Sequence, residues 1–294
     1  MSHPEVTVFG EVLFDHFPDG TRVLGGAPFN VAWHLQAFGQ APTFVSRVGA
    51  DDAGRAILAA MSEWGMSIAA VQRDDRLPTG RVAVHLDDGQ PSYDIVHPCA
   101  YDAIAPPGDD VPGGLLYHGS LALRDARSRA GFAALQDRGR RDCFLDVNLR
   151  SPWWDRARLL ALLAAADWVK LNEDELALLG PTGGHDVGAI EAMFERDHLK
   201  GLLVTYGSEG AALLTREDGL VRVRPASSTR VVDTVGAGDA FAAVCLLGIL
   251  KDWPSTTMLE RAQAFASKIV AQQGATCADR GLYAAFKRQW ALDT

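Results

Sequence analysis

The chain has 294 residues, 48% of them hydrophobic and 22% charged, enough to bury a large core in one α/β domain or two smaller ones. A formal net charge of -9 argues against a nucleic-acid partner: the densest basic cluster, Arg138, Arg140 and Arg141, reads as a solvated helix end and not as a basic stripe. Cys99, Cys143, Cys245 and Cys277 form no CxxC pair, so neither a zinc site nor a disulfide framework is expected, and a reducing cytoplasm suits them.

In the N-terminal stretch MSHPEVTVFGEVLFDHF, no basic flank precedes an apolar core, and Glu11 and Asp15 interrupt it, so no signal peptide is expected. Val6 to Phe9 reads as a first strand. Val12 to Leu24 has strand-like residues around a PDG turn, Pro18 to Gly20, and no helix directly behind it. Pro28 to Phe38 reads as a helix, apolar at Phe29, Ala32, Trp33 and Phe38 and stopped at Gly39 by a left-handed cap. Thr43 to Val48 is the next strand and Ala53 to Trp64 the next helix. Thr79 to Ile95 repeats the hairpin-like pattern around DDG, Asp87 to Gly89.

Beyond it, strands at Leu115 to His118, Cys143 to Val147, Trp168 to Leu171 and Leu202 to Thr205 alternate with helices. Those helices are Ala157 to Ala166, Val187 to Phe194, Ala240 to Leu250 and Met258 to Gln273. Such alternation predicts an α/β sheet with helices on its faces. On these residues alone surface hairpins are one reading of the two interruptions, and the residues do not decide it. Pro106 to Gly114, PPGDDVPGG, is too short to divide domains, so residues 1–294 read as one domain. The longest uncharged apolar run, Ala240 to Leu250, falls short of the roughly 20 residues that cross a bilayer.

The most informative segment is residues 231 to 241, VVDTVGAGDAF. Gly236, Ala237 and Gly238 offer backbone N–H groups to an anion at the positive end of the following helix, with Asp239 beside it as a proton acceptor. The simpler alternative is a tight turn in which Asp239 merely caps the helix.

DTVGAGDAF resembles the C-terminal signature of the PfkB carbohydrate kinases, the ribokinase-like sugar kinases. Roughly 200 residues upstream, Gly25 to Ala32, GGAPFNVA, resembles their N-terminal glycine signature, and similarity runs from about Val6 to Thr276. The resemblance implies a three-layer α/β/α sandwich with a mainly parallel central sheet. It also implies a small β lid formed by about 12–24 and 79–102, which often makes a homodimer interface.

Phosphoryl transfer needs alignment, cancellation of negative charge and a proton acceptor. By resemblance, Asp239 is the general base, the amides of Gly236, Ala237 and Gly238 are the anion hole, and ATP with Mg²⁺ is the donor. Asp15, Gly26 and Asn30 are the implied sugar-binding residues, suited to vicinal hydroxyls, although an aspartate near PDG is also an ordinary turn residue. The block DVNLR, Asp146 to Arg150, ends a strand where open α/β sheets bind ligands. Asn148 and Arg150 there face the sugar or the phosphate, or Arg150 pairs with a surface carboxylate. An Arg150 that held a second phosphate would select sugar phosphates.

In KLNEDEL, Asn172 and Glu175 resemble the family's NxxE motif, whose carboxylate organises Mg²⁺ through water. Asn172 is equally a helix cap, with Glu173, Asp174 and Glu175 favouring the positive end. VTYGSEG, carrying Thr205, Gly207 and Gly210, is similar to the VTxGxxG stretch that lines the nucleotide site. Gln263 stands where relatives commonly have an asparagine near the adenine. Asp233 is the implied ligand of a monovalent cation such as K⁺, while Ala278 replaces a hydroxyl residue of some relatives.

The glycine block together with VGADDAG, PTGRVAV and DVNLRSPWW looks most like bacterial fructokinases, which implies phosphorylation of D-fructose at its 6-hydroxyl. The alternative acceptor is 2-keto-3-deoxygluconate, whose kinases share DxNxR. A non-catalytic sugar sensor is the alternative of another class, and such proteins tend to lose the aspartate or a glycine retained here. A dinucleotide-binding dehydrogenase is disfavoured, because GEVLFD follows the first strand in place of GxGxxG. His16, His34, His97 and His118 show no metal spacing and read as ordinary core or surface residues.

Overall fold

Aliphatic and β-branched runs a few residues long, separated by helices, assemble here into two sheets. The computed structural model describes residues 5–87, 90–108, 111, 113–138, 142–225, 232–272 and 274–292. Asp88 and Gly89 of the second turn, Asp109, Asp110 and Pro112 of the proline-rich stretch, Arg140, Arg141, Val231 and Gln273 lie outside these residues.

The chain opens with β1 (Val6–Phe9), then β2 (Leu13–His16), β3 (Arg22–Gly25), α1 (Ala27–Ala37), β4 (Thr43–Gly49), α2 (Asp52–Trp64) and β5 (Val71–Asp74). A hairpin of β6 (Gly80–Asp87) and β7 (Gln90–Ile95) follows, and then β8 (Leu115–Gly119), α3 (Ala126–Gln136), β9 (Asp142–Asp146) and α4 (Arg156–Ala164). Next come β10 (Trp168–Asn172), α5 (Glu173–Leu179), α6 (Val187–Arg196), β11 (Gly201–Thr205), β12 (Ala211–Thr215) and β13 (Gly219–Val223). The chain closes with α7 (Ala237–Leu250), α8 (Ser255–Ile269) and α9 (Arg280–Gln289).

Nine strands form the main sheet in the order β13-β12-β11-β10-β9-β8-β1-β4-β5. All neighbours from β11 to β5 pair in parallel, and β12 and β13 add an antiparallel edge. Strands buried on both sides explain the unbroken apolar runs. In β8, Leu115 and Tyr117 face a core shared with α1, α2, α7, α8 and α9, while Leu116 faces the opposite core with α3. In β11, Leu203 joins the first core, and Leu202 and Val204 pack with α4, α5 and α6. The result is the three-layer α/β/α sandwich.

The four remaining strands make a separate sheet, β3-β2-β6-β7, built from the two stretches that interrupt the alternation. They are more than two independent hairpins: β2 pairs in parallel with β6, Leu13 opposite Gly80, and joins them. Gly39 is left-handed, φ 85°, where the sequence places a cap. The helix expected from Met258 to Gln273 begins earlier, at Ser255, and ends at Ile269.

One buried ion pair ties the four-stranded sheet to the main body. Just beyond β7, Asp102 accepts from Arg124 Nε at 2.6 Å and Nη2 at 2.9 Å, and from the Cys99 backbone N–H at 2.9 Å. Arg124 Nη2 also donates to the Val96 carbonyl at 2.7 Å, and its guanidinium lies 4.4 Å from the Trp153 ring centroid. The two side chains are 0% and 2% exposed. Removing one partner of such a pair strands a buried charge, which costs about 3–5 kcal/mol. Asp102→Ala is therefore expected to lower unfolding stability by about that amount in denaturant titration, with Asp102→Asn losing less.

Candidate active site

The main sheet changes its direction of growth at β1, whose neighbours are β4 and the much later β8. Ligands of open α/β sheets bind outside the strand ends at such a point. A cleft of about 570 Å³ opens there, within the size range of small-molecule sites. Glu11, Leu121 and Asn148 to Ser151 enter it from just past β1, β8 and β9, and Asp15, Val23 and Val82 enter from the facing four-stranded sheet.

The start of α7 forms the third wall. This helix is apolar all round and buried along nearly its whole length, so the core dictates where its first turn emerges. Gly236 precedes it with φ 81°, and a Cβ there would lie 2.4 Å from that of Ala275; only glycine reconciles the turn with the loop beneath it. At Gly238 a Cβ would meet Lys170 Nζ at 3.4 Å, so this glycine relieves no strain and instead keeps the helix end uncovered. Gly236, Gly238 and Asp239 line the cleft, with Ala237 between them in the same turn. The first amides of a helix lack partners within it and carry its positive end, which suits an anion.

Asn30 of α1 reaches Asp239 directly, its Nδ2 donating to Oδ2 at 2.7 Å. Burial pushes Asp239 up to about 6; the Asn30 hydrogen bond, Lys170 and Arg150 oppose the shift, and Asp146 adds to it. Burial likewise raises Asp15 to about 6, against the pull of Arg150. Gly26 has φ 114°, and a Cβ on it would strike the Glu11 carbonyl at 2.7 Å. One on Gly25 would stand 3.7 Å from Asp15 Oδ2 and 3.9 Å from Asn30 Oδ1. The double glycine thus lets two side-chain oxygens border one space.

Asp15, Gly26, Asn30, Asn148, Arg150 and the α7 turn therefore meet in one cleft, although they come from four separate stretches of chain. The residues expected on the nucleotide side lie outside its lining. Asn172 and Thr205 are paired at the adjoining ends of β10 and β11, farther along the same sheet rim. Glu175 and Asn172 form a capping box: Glu175 N–H donates to Asn172 Oδ1 at 2.8 Å, and Asn172 N–H to Glu175 Oε2 at 2.9 Å. Leu149 N–H donates to Glu175 Oε1 at 2.7 Å, which joins this cap to the DVNLR segment.

Gly207 and Gly210 both have positive φ, and a Cβ on Gly210 would lie 2.0 Å from the Val223 carbonyl, so that glycine also serves strand packing. Gln263 donates to Ser267 Oγ at 3.3 Å along α8. Asp233 accepts from the N–H groups of Val235, at 2.9 Å, and Gly274, at 3.1 Å, fastening the loop before α7 to the turn before α9.

A model of the pfkB family carbohydrate kinases matches residues 6–280. The chain belongs to that family. It is 35% identical over 262 residues to a fructokinase of Klebsiella pneumoniae, covering 83% of this chain and 84% of the relative. It is 30% identical over 303 residues to an aminoimidazole riboside kinase of Salmonella typhimurium, covering 93% and 91%. The crystal structure of a Vibrio cholerae O395 fructokinase in fructose, ADP and calcium ion bound form superposes with a TM-score of 0.79 at 26% identity, covering 97% and 99%. The protein is a carbohydrate kinase, an enzyme that transfers a phosphoryl group to a sugar hydroxyl.

Two cleft residues of this kinase escape the motif reading. Lys170 is 6% exposed and donates to both oxygens of Asp146, at 2.8 and 2.9 Å, while Tyr117 OH donates to Asp146 Oδ2 at 3.2 Å. The available signal is a lone charge inside the apolar strand WVKLN, which requires a partner. Glu11 is the other, just past β1 and 3% exposed. The steric contrast between the glycines of α7 has a measurable consequence. Gly236→Ala, strained in φ and in contact, is expected to lower stability by about 1–3 kcal/mol, whereas Gly238→Ala inside a helical turn leaves the thermal midpoint unchanged or raises it.

Proposed function

We propose that this kinase transfers the terminal phosphoryl group of ATP to the 6-hydroxyl of free D-fructose. The observation that carries the reading is Asp239, held by Asn30 in the mouth of a helix turn within a cleft that also contains Asp15 and Arg150. The similarity to curated fructokinases favours the ketohexose as acceptor.

In this reading the acceptor lies between Asp15, Asn30 and the double glycine, with the four-stranded sheet as a lid. Asp239 takes the proton of the attacking hydroxyl as the bond to phosphorus forms, and the leaving ADP carries away the electron pair of the broken bond. The amides at the start of α7 balance charge on the migrating phosphoryl group, where one donor in comparable sites is worth about 3–4 kcal/mol. Lys170 supports them, with Asp146 fixing its position.

Mg²⁺ would neutralise phosphate charge. Glu175 suits an outer-sphere role, because each of its oxygens accepts one backbone hydrogen and keeps a lone pair for water. Among the described residues no cluster of three His, Cys, Asp or Glu side chains forms a direct cage, in keeping with an ion that retains much of its hydration.

ADP release measured with ATP, Mg²⁺ and a panel of D-fructose, 2-keto-3-deoxygluconate, aminoimidazole riboside and other hexoses tests the assignment. The highest kcat/KM is expected with fructose, and Asp239→Asn is expected to lose on the order of 10² to 10⁴ in kcat with the fold intact. No turnover with any acceptor would favour a sensor. The pH dependence follows from the raised Asp239: its basic form predominates above about 6, so kcat/KM is expected to fall as pH drops through 6. A rate that stays flat from pH 8 to pH 5 would remove Asp239 as the base.

A further inference from the structure

Two oxygens in the cleft have no hydrogen-bond partner among the described residues, Glu11 Oε2 and Asn30 Oδ1. Their residues are 3% and 4% exposed, and both line the cleft. Buried polar atoms are nearly always satisfied, and the other buried carboxylates nearby follow the rule. Asp146 is held by Lys170 and Tyr117, and Glu175 by two backbone amides. Asn30 has already committed its Nδ2 to Asp239, so what remains is an acceptor. The Glu11 carboxyl takes a hydrogen bond from its own backbone, and Gly26 packs against the Glu11 carbonyl.

We propose that Glu11 is a further sugar-binding residue, whose Oε2 joins Asn30 Oδ1 in receiving hydroxyl hydrogens of the acceptor at the floor of the cleft. The ligand class that satisfies both oxygens is a polyhydroxylated molecule presenting two O–H donors, and the inference rests on the reading of the acceptor as a sugar. Burial, the largest influence, pushes Glu11 up to about 7, with Asp239 adding to the shift and Arg150 and Arg124 opposing it. Near neutral pH the carboxyl thus exists in both forms, each with an oxygen able to accept.

The test compares wild type, Glu11→Ala, Glu11→Met and Glu11→Gln on D-fructose and a series of monodeoxy ketohexoses, by ADP release and by calorimetric titration of the sugar. Removing the acceptor is expected to raise the sugar KM on the order of 10-fold or more, with the ATP KM unchanged. Glu11→Gln, which keeps a carbonyl oxygen, recovers part of the loss. One deoxy sugar should be poor for wild type yet no worse than fructose for Glu11→Ala, because losses on the two sides of one contact do not add. Glu11→Met keeps the volume without the acceptor and carries the same comparison should Glu11→Ala fail to fold. An active wild type whose acceptor-free variants stay within twofold in sugar KM, or lose equally on every deoxy sugar, overturns this inference alone. A wild type that binds and phosphorylates none of the sugars overturns it together with the reading beneath it.

Discussion

The base role proposed for Asp239 asks it to carry negative charge in a place that disfavours charge, and much of the surrounding structure bears on that balance. Burial favours the protonated form of the carboxyl. The opposing influences come from three directions: the Asn30 amide at 2.7 Å from α1, the ammonium of Lys170 from β10 and the guanidinium of Arg150 beyond β9. The positive end of α7 adds to them. Together they leave the group near 6, so that it is largely ionised at neutral pH, as the proposed base role requires.

That balance depends on placement, and placement depends on packing far from the cleft. The first turn of α7 sits where it does because Ala240, Phe241, Val244 and Leu247 are buried against α1 and α8. Asn30 meets Asp239 because α1 starts beside the same switch point, with Gly26 folded against the Glu11 carbonyl and Gly236 against Ala275. Each close approach of backbone to backbone is possible only without a side chain. Two glycines more than two hundred residues apart in sequence thus bring together one donor and one acceptor.

The parallel sheet and most of its helices were legible because burial on both faces writes long apolar runs with strong punctuation, as at Gly39. Of the elements that periodicity left out, β5 and β13 are the edge strands of the sheet, β12 lies beside β13, and α3, α5 and α9 cover its faces. In α3 the apolar positions are few, and its start is held by a cap, Asp125 accepting from the Arg127 N–H at 2.9 Å, which gives little periodic signal. On the cleft, Asp15, Asn30 and Asp239 were legible through motifs, whereas Lys170 and Glu11 belong to no motif. Their importance arises from tertiary partners, or from the lack of them, and a linear pattern cannot express either. Asp233 shows the reverse: its carboxylate ties two loops together, a structural task that the motif did not announce.

The cleft also faces an electrostatic difficulty that its composition alone would make severe. Glu11, Asp15 and Asp239 line the cleft in which the proposed reading places a polyanionic phosphate chain, with Asp146 paired to Lys170 beside it and Lys170 and Arg150 as the cationic lining residues. Fully ionised, the carboxylates would outnumber the cations and repel the donor. Asp146 is neutralised by its bidentate contact with Lys170, and desolvation raises Glu11, Asp15 and Asp239 to about 7, 6 and 6. At neutral pH Glu11 therefore carries only part of its charge, while Asp15 and Asp239 are largely ionised. In the proposed reading a sugar hydroxyl would replace some of the lost hydration of these carboxyls, and a phosphate at the α7 turn would bring its own counter-ion, so the acids assigned to the sugar need not oppose the phosphate that its hydroxyl attacks.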